Sequence, residues 1–503
     1  MPTPRPVPTT EIAPGLSIAR ALTGLWQVAD LERDGATLDP VQAAHDLEPY
    51  LDAGLTTFDM ADHYGSAELI VGELRRRRGG VELQLLTKWV PEPGPVTPAA
   101  ARAAVDRARA RLGVERIDLL QFHTWAYDDP SWLDALFLLQ ELKREGAIGA
   151  LGLTNFDAAH LRIACASGIE IATNQVAYSL LDRRAAGDLT EACRQYGVRL
   201  LGYGTLAGGL LSERWLGRPA PDAARLETWS QLKYHRFVEA AGGWGPFQRL
   251  LEAVQRVAER LGVSMANVAS RFVLEQPQVA GVIVGARVGR SAHVEGTVGL
   301  FAFELDAAAR AELDGALAGL TPLPGDSGDE YRRPPFLTAS GDLSHHLRGF
   351  PAPFPVRAGA RERERVLSGT VWEELAGFAR AVRVDDRVLV SGTTATHGTR
   401  LIGGTDAEAQ AHAVIDKVEG ALRSLGATLE DVVRTRLYVA RAEDAMAVSR
   451  AHGRRFGQVR PANTLVLAGL VGDGYLVEME AEAVLPATPR ARQVPPAAEP
   501  PLS

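Results

Sequence analysis

Gly54–Glu68 reads GLTTFDMADHYGSAE, a short apolar run that ends on Asp59 and opens into a loop carrying Tyr64. A run this short, bounded by Gly and polar residues, fits a buried strand better than a helix. The same unit recurs on both sides. Candidate strands are Ala21–Trp26, Leu55–Asp59, Leu83–Lys88, Ile117–Phe122, Ile148–Leu153, Ile171–Gln175, Leu200–Tyr203 and Ala280–Gly285, eight in all. Between them lie amphipathic stretches such as Pro40–Ala53, Pro98–Leu112, Ser131–Arg144 and Ala158–Ser167. Strands alternating with helices imply a parallel sheet with right-handed crossovers. Eight such units over roughly 250 residues or more fit a closed (β/α)₈ barrel of the α/β class.

In such a barrel, chemistry gathers where the strands end. Asp59, Lys88 and His123 fall at the ends of the second, third and fourth strands, and Tyr64 lies in the loop after the second. The set suits carbonyl reduction. A phenol with a pKa of about 10 is a poor proton donor at neutral pH. A neighbouring ammonium lowers that value, a carboxylate paired to the lysine holds it in place, and an imidazole can position a carbonyl oxygen. Each residue alone reads as structural; the four together at successive strand ends do not. Trp26, Trp89 and Trp125 each follow a strand at the same face and read either as packing of the barrel rim or as pocket walls for a substrate, the second being expected. Residues 204–246, carrying Trp215, Trp229 and Trp244, read as an inserted loop that shapes access.

Composition narrows the class. The chain has 503 residues, 46% hydrophobic and 23% charged, with a net charge of −8 spread along its length. Neither nucleic acid nor an anionic membrane is favoured as a partner. The basic run Arg75–Arg78 follows a helical stretch and reads as a solvated helix end. Two cysteines, Cys165 and Cys193, exclude a disulfide scaffold and fit a reducing compartment. The start lacks a signal-peptide pattern, and no apolar run is long enough to span a bilayer, so a cytoplasmic location is expected. No metal is expected: His345-His346 has no Cys or His partner at ligand spacing. The glycines of Gly202–Gly209 (GYGTLAGG) lack the strand–GxGxxG–helix spacing of a dinucleotide fold and read as a barrel loop. His63, beside Tyr64, reads as part of the loop.

Residues 319–370 are rich in Pro, Gly and charge, and the pattern changes after them. Ala379–Val384 and Val388–Ser391 read as strands paired around Asp385-Asp386. They are followed by a helix Asp406–Ser424, a strand Val432–Val439, a helix Asp444–Phe456, and strands Thr464–Gly469 and Leu476–Val484. The expected division is a barrel over 1–335, a linker over 336–365, a smaller α+β domain over 366–486 and a disordered tail over 487–503.

The segment containing Asp59 and Tyr64, LLTKW with Lys88 and DLLQFHTW with His123 resemble the signature segments of the aldo-keto reductase family, over about residues 20–335. The resemblance implies an NADP(H)-dependent reductase in which Tyr64 is the proton donor, tuned by Lys88 and Asp59, while His123 orients a small-molecule carbonyl. It also implies cofactor contacts from Gly24, from Thr154 and Asn155 in GLTNFD, and from Gln175, Tyr203 and Leu206. Gly285, Ala286, Arg287 and Ser291 match the phosphate-binding segment, where an Arg suits bidentate contact with a 2′-phosphate. The Glu-Asn or Asp-Asn pair with which the family often closes that segment is replaced by Glu295-Gly296-Thr297.

Residues 366–486 are similar to the RidA (YjgF/YER057c/UK114) family, whose active members hydrolyse imines and enamines at clefts between subunits of a trimer. The similarity implies a homo-oligomer, a trimer through this domain, and a pocket at Asn463 and Glu478. The family's arginine is Asn463 here, and an amide brings no charge to clamp a carboxylate. In this reading the domain assembles chains or binds a ligand instead of deaminating, with an active enamine/imine deaminase as the alternative. Fusion to an imine-handling fold also makes a C=N substrate an alternative to a carbonyl for the barrel.

Overall fold

The computed structural model describes residues 6–32, 35–226, 228–289, 293–338, 350–359 and 363–486. All eight strands form: β1 (Ala21–Gly24), β2 (Thr57–Asp59), β3 (Gln84–Trp89), β4 (Ile117–Phe122), β5 (Ile148–Thr154), β6 (Ile171–Ala177), β7 (Arg199–Tyr203) and β8 (Val279–Gly285). They close into a parallel barrel in chain order, with β8 returning to β1 in a register that runs from Val282↔Ala21 to Gly285↔Gly24. The strands read as near-continuous apolar runs because helices and the barrel interior cover both faces. An N-terminal hairpin, Thr9–Ala13 with Leu16–Ala19, packs Ile12 and Ile18 against Leu22, Leu86 and Leu119.

The helices Pro98–Leu112 and Ser131–Arg144 match their expected spans. Helix α1 (Ala158–Ala166) starts at Asp157, whose carboxylate caps it by accepting the His160 N–H at 2.8 Å. Arg76, Arg77 and Arg78 end the helix Ala67–Arg77 and pair on the surface with Glu73, Glu48 and Asp52. Two expectations are corrected. Trp26 is not in β1; the Leu25 N–H bonds to the Asp59 carbonyl, the chain leaves the barrel, and Trp26 opens the helix Trp26–Glu32. Residues 204–246 are not a bare loop either. They hold short 3₁₀ turns and helix α2 (Trp229–Ala240), which buries Tyr234, Phe237 and Val238. Trp215 and Trp244 pack edge-on at 5.9 Å.

After the barrel, a short helix α3 (Asp329–Arg332) lies over the strand ends. The C-terminal domain is a seven-stranded sheet, in the order β9 (Val356–Ala358), β10 (Glu364–Val366), β11 (Ala381–Val384), β12 (Arg387–Thr394), β15 (Val477–Val484), β13 (Val432–Val439), β14 (Ala462–Leu467). Only β13 and β14 run parallel. Edge strand β9 lies inside the stretch read as linker. Helices α4 (Ala407–Ser424) and α5 (Ala445–Phe456) cover one face. Along β15 the parity is clean: Val477, Met479, Ala481 and Ala483 are buried, while Glu478, Glu480 and Glu482 alternate with them on the other face.

The two domains meet where α4 lies along α1. Arg162 and the Tyr196 hydroxyl donate to Asp406 at 2.7 and 2.6 Å, His397 meets Asp134 at 2.8 Å, and Arg423 meets Asp128 at 2.8 Å. Backbones touch as well. A Cβ on Gly404 would lie 2.5 Å from the Ala166 carbonyl oxygen, and one on Gly420 would lie 2.4 Å from that of Asp128.

Both cysteines are unpaired thiols, and burial pushes that of Cys165 up to about 12. Among the described residues no helix is long and apolar enough to cross a membrane, and no cluster of three or more His, Cys, Asp or Glu could hold a metal. His345-His346 and the tail 487–503 lie outside the described residues.

Candidate active site

Asp59 is the last residue of β2, Lys88 the last but one of β3, and His123 the first after β4. All three are buried at one end of the barrel, with Tyr64 beside them. The Lys88 ammonium donates to Asp59 Oδ2 at 2.7 Å and to the Met60 carbonyl at 2.8 Å, and stands 4.8 Å from the centre of the Tyr64 ring. Burial lowers the Lys88 pKa, with Asp59 opposing it. The other oxygen of Asp59 accepts from Gln175 at 2.7 Å and Gln121 at 3.1 Å. Gln121 escaped the sequence reading; an amide inside the apolar run DLLQF was the signal, since a buried amide needs partners.

His123 Nδ1 lies 3.1 Å from the Thr154 carbonyl oxygen. That oxygen can only accept, so Nδ1 carries a proton and the ring's orientation is set. Trp125 meets the His123 ring edge-on at 4.6 Å, and Trp26 meets Tyr64 at 5.1 Å. Trp89 instead tilts against Phe122 at 5.9 Å within the hydrophobic core. That contact is packing at the barrel's edge, one of the two roles open to it. His63 is held by its neighbour Asp62 at 2.9 Å.

The residues expected to hold a cofactor line the ends of β1 and β5–β8. Asn155 has a left-handed backbone (φ 59°), and its side-chain oxygen accepts from the Tyr203 hydroxyl at 2.8 Å. Buried Thr154 Oγ1 has no partner among the described residues. A buried hydroxyl without a partner is costly, and a carboxamide would satisfy it. Gly24 and Gly285 are paired in register, and the Ala286 N–H bonds to the Gly24 carbonyl at 2.9 Å. Leu206 leads into a 3₁₀ turn, and Arg287 is exposed. Ser291 lies outside the described residues. These donors fit a nicotinamide dinucleotide.

Helix α3 supplies residues that no motif announced. The Tyr331 ring stands edge-on to His123 at 5.7 Å, and its hydroxyl accepts from Lys233 at 2.7 Å. Arg332 donates to the Thr124 carbonyl (3.0 and 2.7 Å) and to that of Asn155 (2.6 Å).

In the C-terminal domain the expected pair does not meet. Asn463 sits opposite Thr435 and donates to its hydroxyl at 2.9 Å; that hydroxyl also bonds His452 of α5 at 2.9 Å. Asn463 therefore looks toward the helices. Glu478 sits opposite Tyr438, on the other face with Glu480. Burial, reinforced by Glu480, raises the Glu478 carboxyl pKa.

Comparison with known proteins agrees with this architecture. Residues 22–318 match the Aldo/keto reductase family, and residues 371–485 match the Endoribonuclease L-PSP family, the RidA/YjgF-like group. The chain is 27% identical to NADH-specific methylglyoxal reductase of Escherichia coli over 310 residues, covering 56% of this chain and 88% of that protein. An uncharacterized protein of Streptomyces coelicolor, SCO2049, is 44% identical over 120 residues, covering 24% of this chain and 90% of that one. The solved structure of glycerol dehydrogenase AKR11B4 from Gluconobacter oxydans superposes with a TM-score of 0.53 at 25% identity, covering 63% of this chain and 97% of that chain.

Proposed function

The chain belongs to the aldo/keto reductase family through residues 22–318, and from that premise we propose that it reduces the carbonyl of a small aldehyde or ketone with NADPH, Tyr64 serving as proton donor. The observation that carries this reading is the Lys88 ammonium, locked onto Asp59 and standing 4.8 Å from the Tyr64 ring. Bound nicotinamide supplies a hydride. Tyr64 gives its phenolic proton to the carbonyl oxygen, and the phenolate left behind is stabilised by the adjacent ammonium. Asp59 keeps that ammonium charged and aimed. His123, fixed by its Nδ1–H, orients the carbonyl, with Trp26 and Trp125 flanking it. A placed general acid of this kind is worth roughly 10²- to 10⁴-fold.

Thr154, Asn155 and Gln175 would hold the carboxamide, and Tyr203, at the end of β7, would pack against the nicotinamide. With its side-chain oxygen taken by Tyr203, Asn155 offers its amide N–H groups. Gly24 and Leu206 would line the cleft by backbone, and Gly285 and Ala286, with Ser291 by family resemblance, would take the pyrophosphate. Arg287 takes a 2′-phosphate, which makes NADPH the preferred cofactor here although the Escherichia coli relative is named for NADH. Following nicotinamide absorbance over a panel of aldehydes and ketones with each cofactor tests the reading. A protein that binds neither cofactor, and consumes neither with any carbonyl or imine, overturns it.

The match of residues 371–485 to the RidA/YjgF-like group favours a second reading, in which the same hydride site reduces C=N. A cyclic imine compared with its matched ketone separates the two, and strong ketone preference removes this one. The sheet face bearing Arg434, Arg436, Glu480 and Glu482 is the face not covered by helices and suits assembly into a homo-oligomer, a trimer by family resemblance. Light scattering on the full chain tests it; a monomer at all concentrations argues against it.

A further inference from the structure

Asn155 sits in the left-handed region, φ 59°, where a residue with a side chain stays only if its surroundings hold it. Its carbonyl accepts from Arg332 at 2.6 Å, and the same guanidinium clamps the Thr124 carbonyl, one residue past His123. Arg332 thereby ties a nicotinamide-side loop to a substrate-side loop. Its own plane is set by Tyr127, over whose ring it lies at 4.3 Å. The His160 ring stacks on the same tyrosine at 3.3 Å and 6°. Two flat groups cannot share one face, so Tyr127 is sandwiched between guanidinium and imidazole.

His160 is in turn fixed at both nitrogens. Nδ1 meets Asp157 at 2.6 Å and Nε2 meets Asp416 at 3.0 Å. Both partners are carboxylates that accept, so both ring nitrogens donate and the ring is an imidazolium. Burial opposes that charge, but the two carboxylates outweigh it and the His160 pKa is raised. A cation on each side of the Tyr127 ring is favourable, the more so away from water. Asp157 belongs to the barrel, two residues past Asn155. Asp416 belongs to α4, in the other domain, where its second oxygen takes Arg455 at 2.5 Å; Arg455 also holds Glu419 at 2.5 Å. A buried charge network is weak evidence for stability, because desolvation cancels most of the attraction. It does fix geometry.

We infer that the C-terminal domain is a working part of the reductase's cofactor site. Asp416 is a positioning residue that, through His160, Tyr127 and Arg332, holds Asn155 in its ligating conformation. The inference rests on the reading of Asn155 as a nicotinamide ligand. In the full-length chain, Asp416→Asn keeps the shape and removes the charge. Glu419→Gln perturbs the same ion network without touching His160. NADPH and NADP⁺ are titrated against tryptophan fluorescence, with melting temperature read alongside.

Coupling through such networks is worth about 0.5–2 kcal/mol, so Asp416→Asn is expected to raise the cofactor Kd roughly 2- to 30-fold. Glu419→Gln leaves the Kd unchanged. At saturating cofactor, the pH profile of Asp416→Asn stays as in the wild type, because Tyr64, Lys88 and Asp59 lie outside this chain of contacts. Arg332→Lys cuts the clamp at its other end, and its coupling to Asp416→Asn tests whether the two act through one chain of contacts. It raises the Kd similarly, and the double variant is less than additive. Wild-type affinity in a folded Asp416→Asn, or an equal loss in Glu419→Gln, overturns the inference while leaving the cofactor reading intact. A wild-type chain that binds neither cofactor overturns both.

Discussion

In the barrel, Asp59, Lys88 and His123 come from three neighbouring strands and meet at one rim, whereas in the C-terminal sheet Asn463 and Glu478 flank the same strand, β13, and look opposite ways. Parallel barrel strands all finish on the same side, so a residue at a strand's end joins the site whichever strand it comes from. An open sheet sorts side chains by parity. Thr435, opposite Asn463, and Tyr438, opposite Glu478, are an odd number of residues apart and must face apart. A motif match therefore locates a site in the first architecture and only nominates residues in the second.

The comparison can be broken at its strongest point. Tyr64→Phe is expected to lower carbonyl turnover by roughly 10²- to 10⁴-fold while the NADPH Kd holds, since only the acid is lost. Turnover above a tenth of wild type would mean that the rim set is not the acid machinery. Next in size, Arg287→Ala should weaken NADPH roughly tenfold, a charged hydrogen bond's worth, and leave NADH binding alone. Equal losses for both cofactors would remove the 2′-phosphate assignment.

A smaller effect tests the joint between the regions. The His160 pKa is raised in the folded state, so its contribution to stability is full below about pH 6.5 and fades as pH rises through the folded value. Asp416 runs the other way. Burial works against its ionised form, but His160 and Arg455 hold the carboxyl down at about 2, so its contribution is present above about pH 4 and is lost as pH falls toward 2. The charged and titratable groups around His160 are Asp157, Asp416, His412 of the same helix as Asp416, Asp326 and, across Tyr127, Arg332. Melting temperature is expected to drop by roughly a few degrees on the alkaline side, and the drop should vanish in His160→Gln. A flat wild-type profile would deny the imidazolium. Smallest of all, Glu478→Gln should leave hydrolysis of a reactive enamine at the background rate of the wild type. A clear difference would show that assembly between chains builds what one chain does not.

What could be read from the sequence follows the same divide. Strands buried on both faces leave unbroken apolar runs, which is why Ile117–Phe122 coincides with β4 residue for residue. The rim residues were readable because each sits at the end of such a run. Arg332 was not: it acts on a carbonyl 177 positions away, and nothing in DEYRRPPF encodes that distance. Nor was the pairing of His160 with Asp416, 256 positions apart, since ion pairs between domains carry no periodicity. Trp89 was open to two readings because an aromatic ring at the end of a strand can turn into the core as readily as toward the mouth.

At Gly404 and Gly420 the main chains of the two domains come closer than any side chain would permit. Evolution by exchange of modules needs seams that tolerate a new neighbour, and this seam does not. A homologous C-terminal unit carrying alanine at either place would strike the barrel's backbone. At these two points a substitution on one side of the joint is admitted only where the other side's main chain leaves it room.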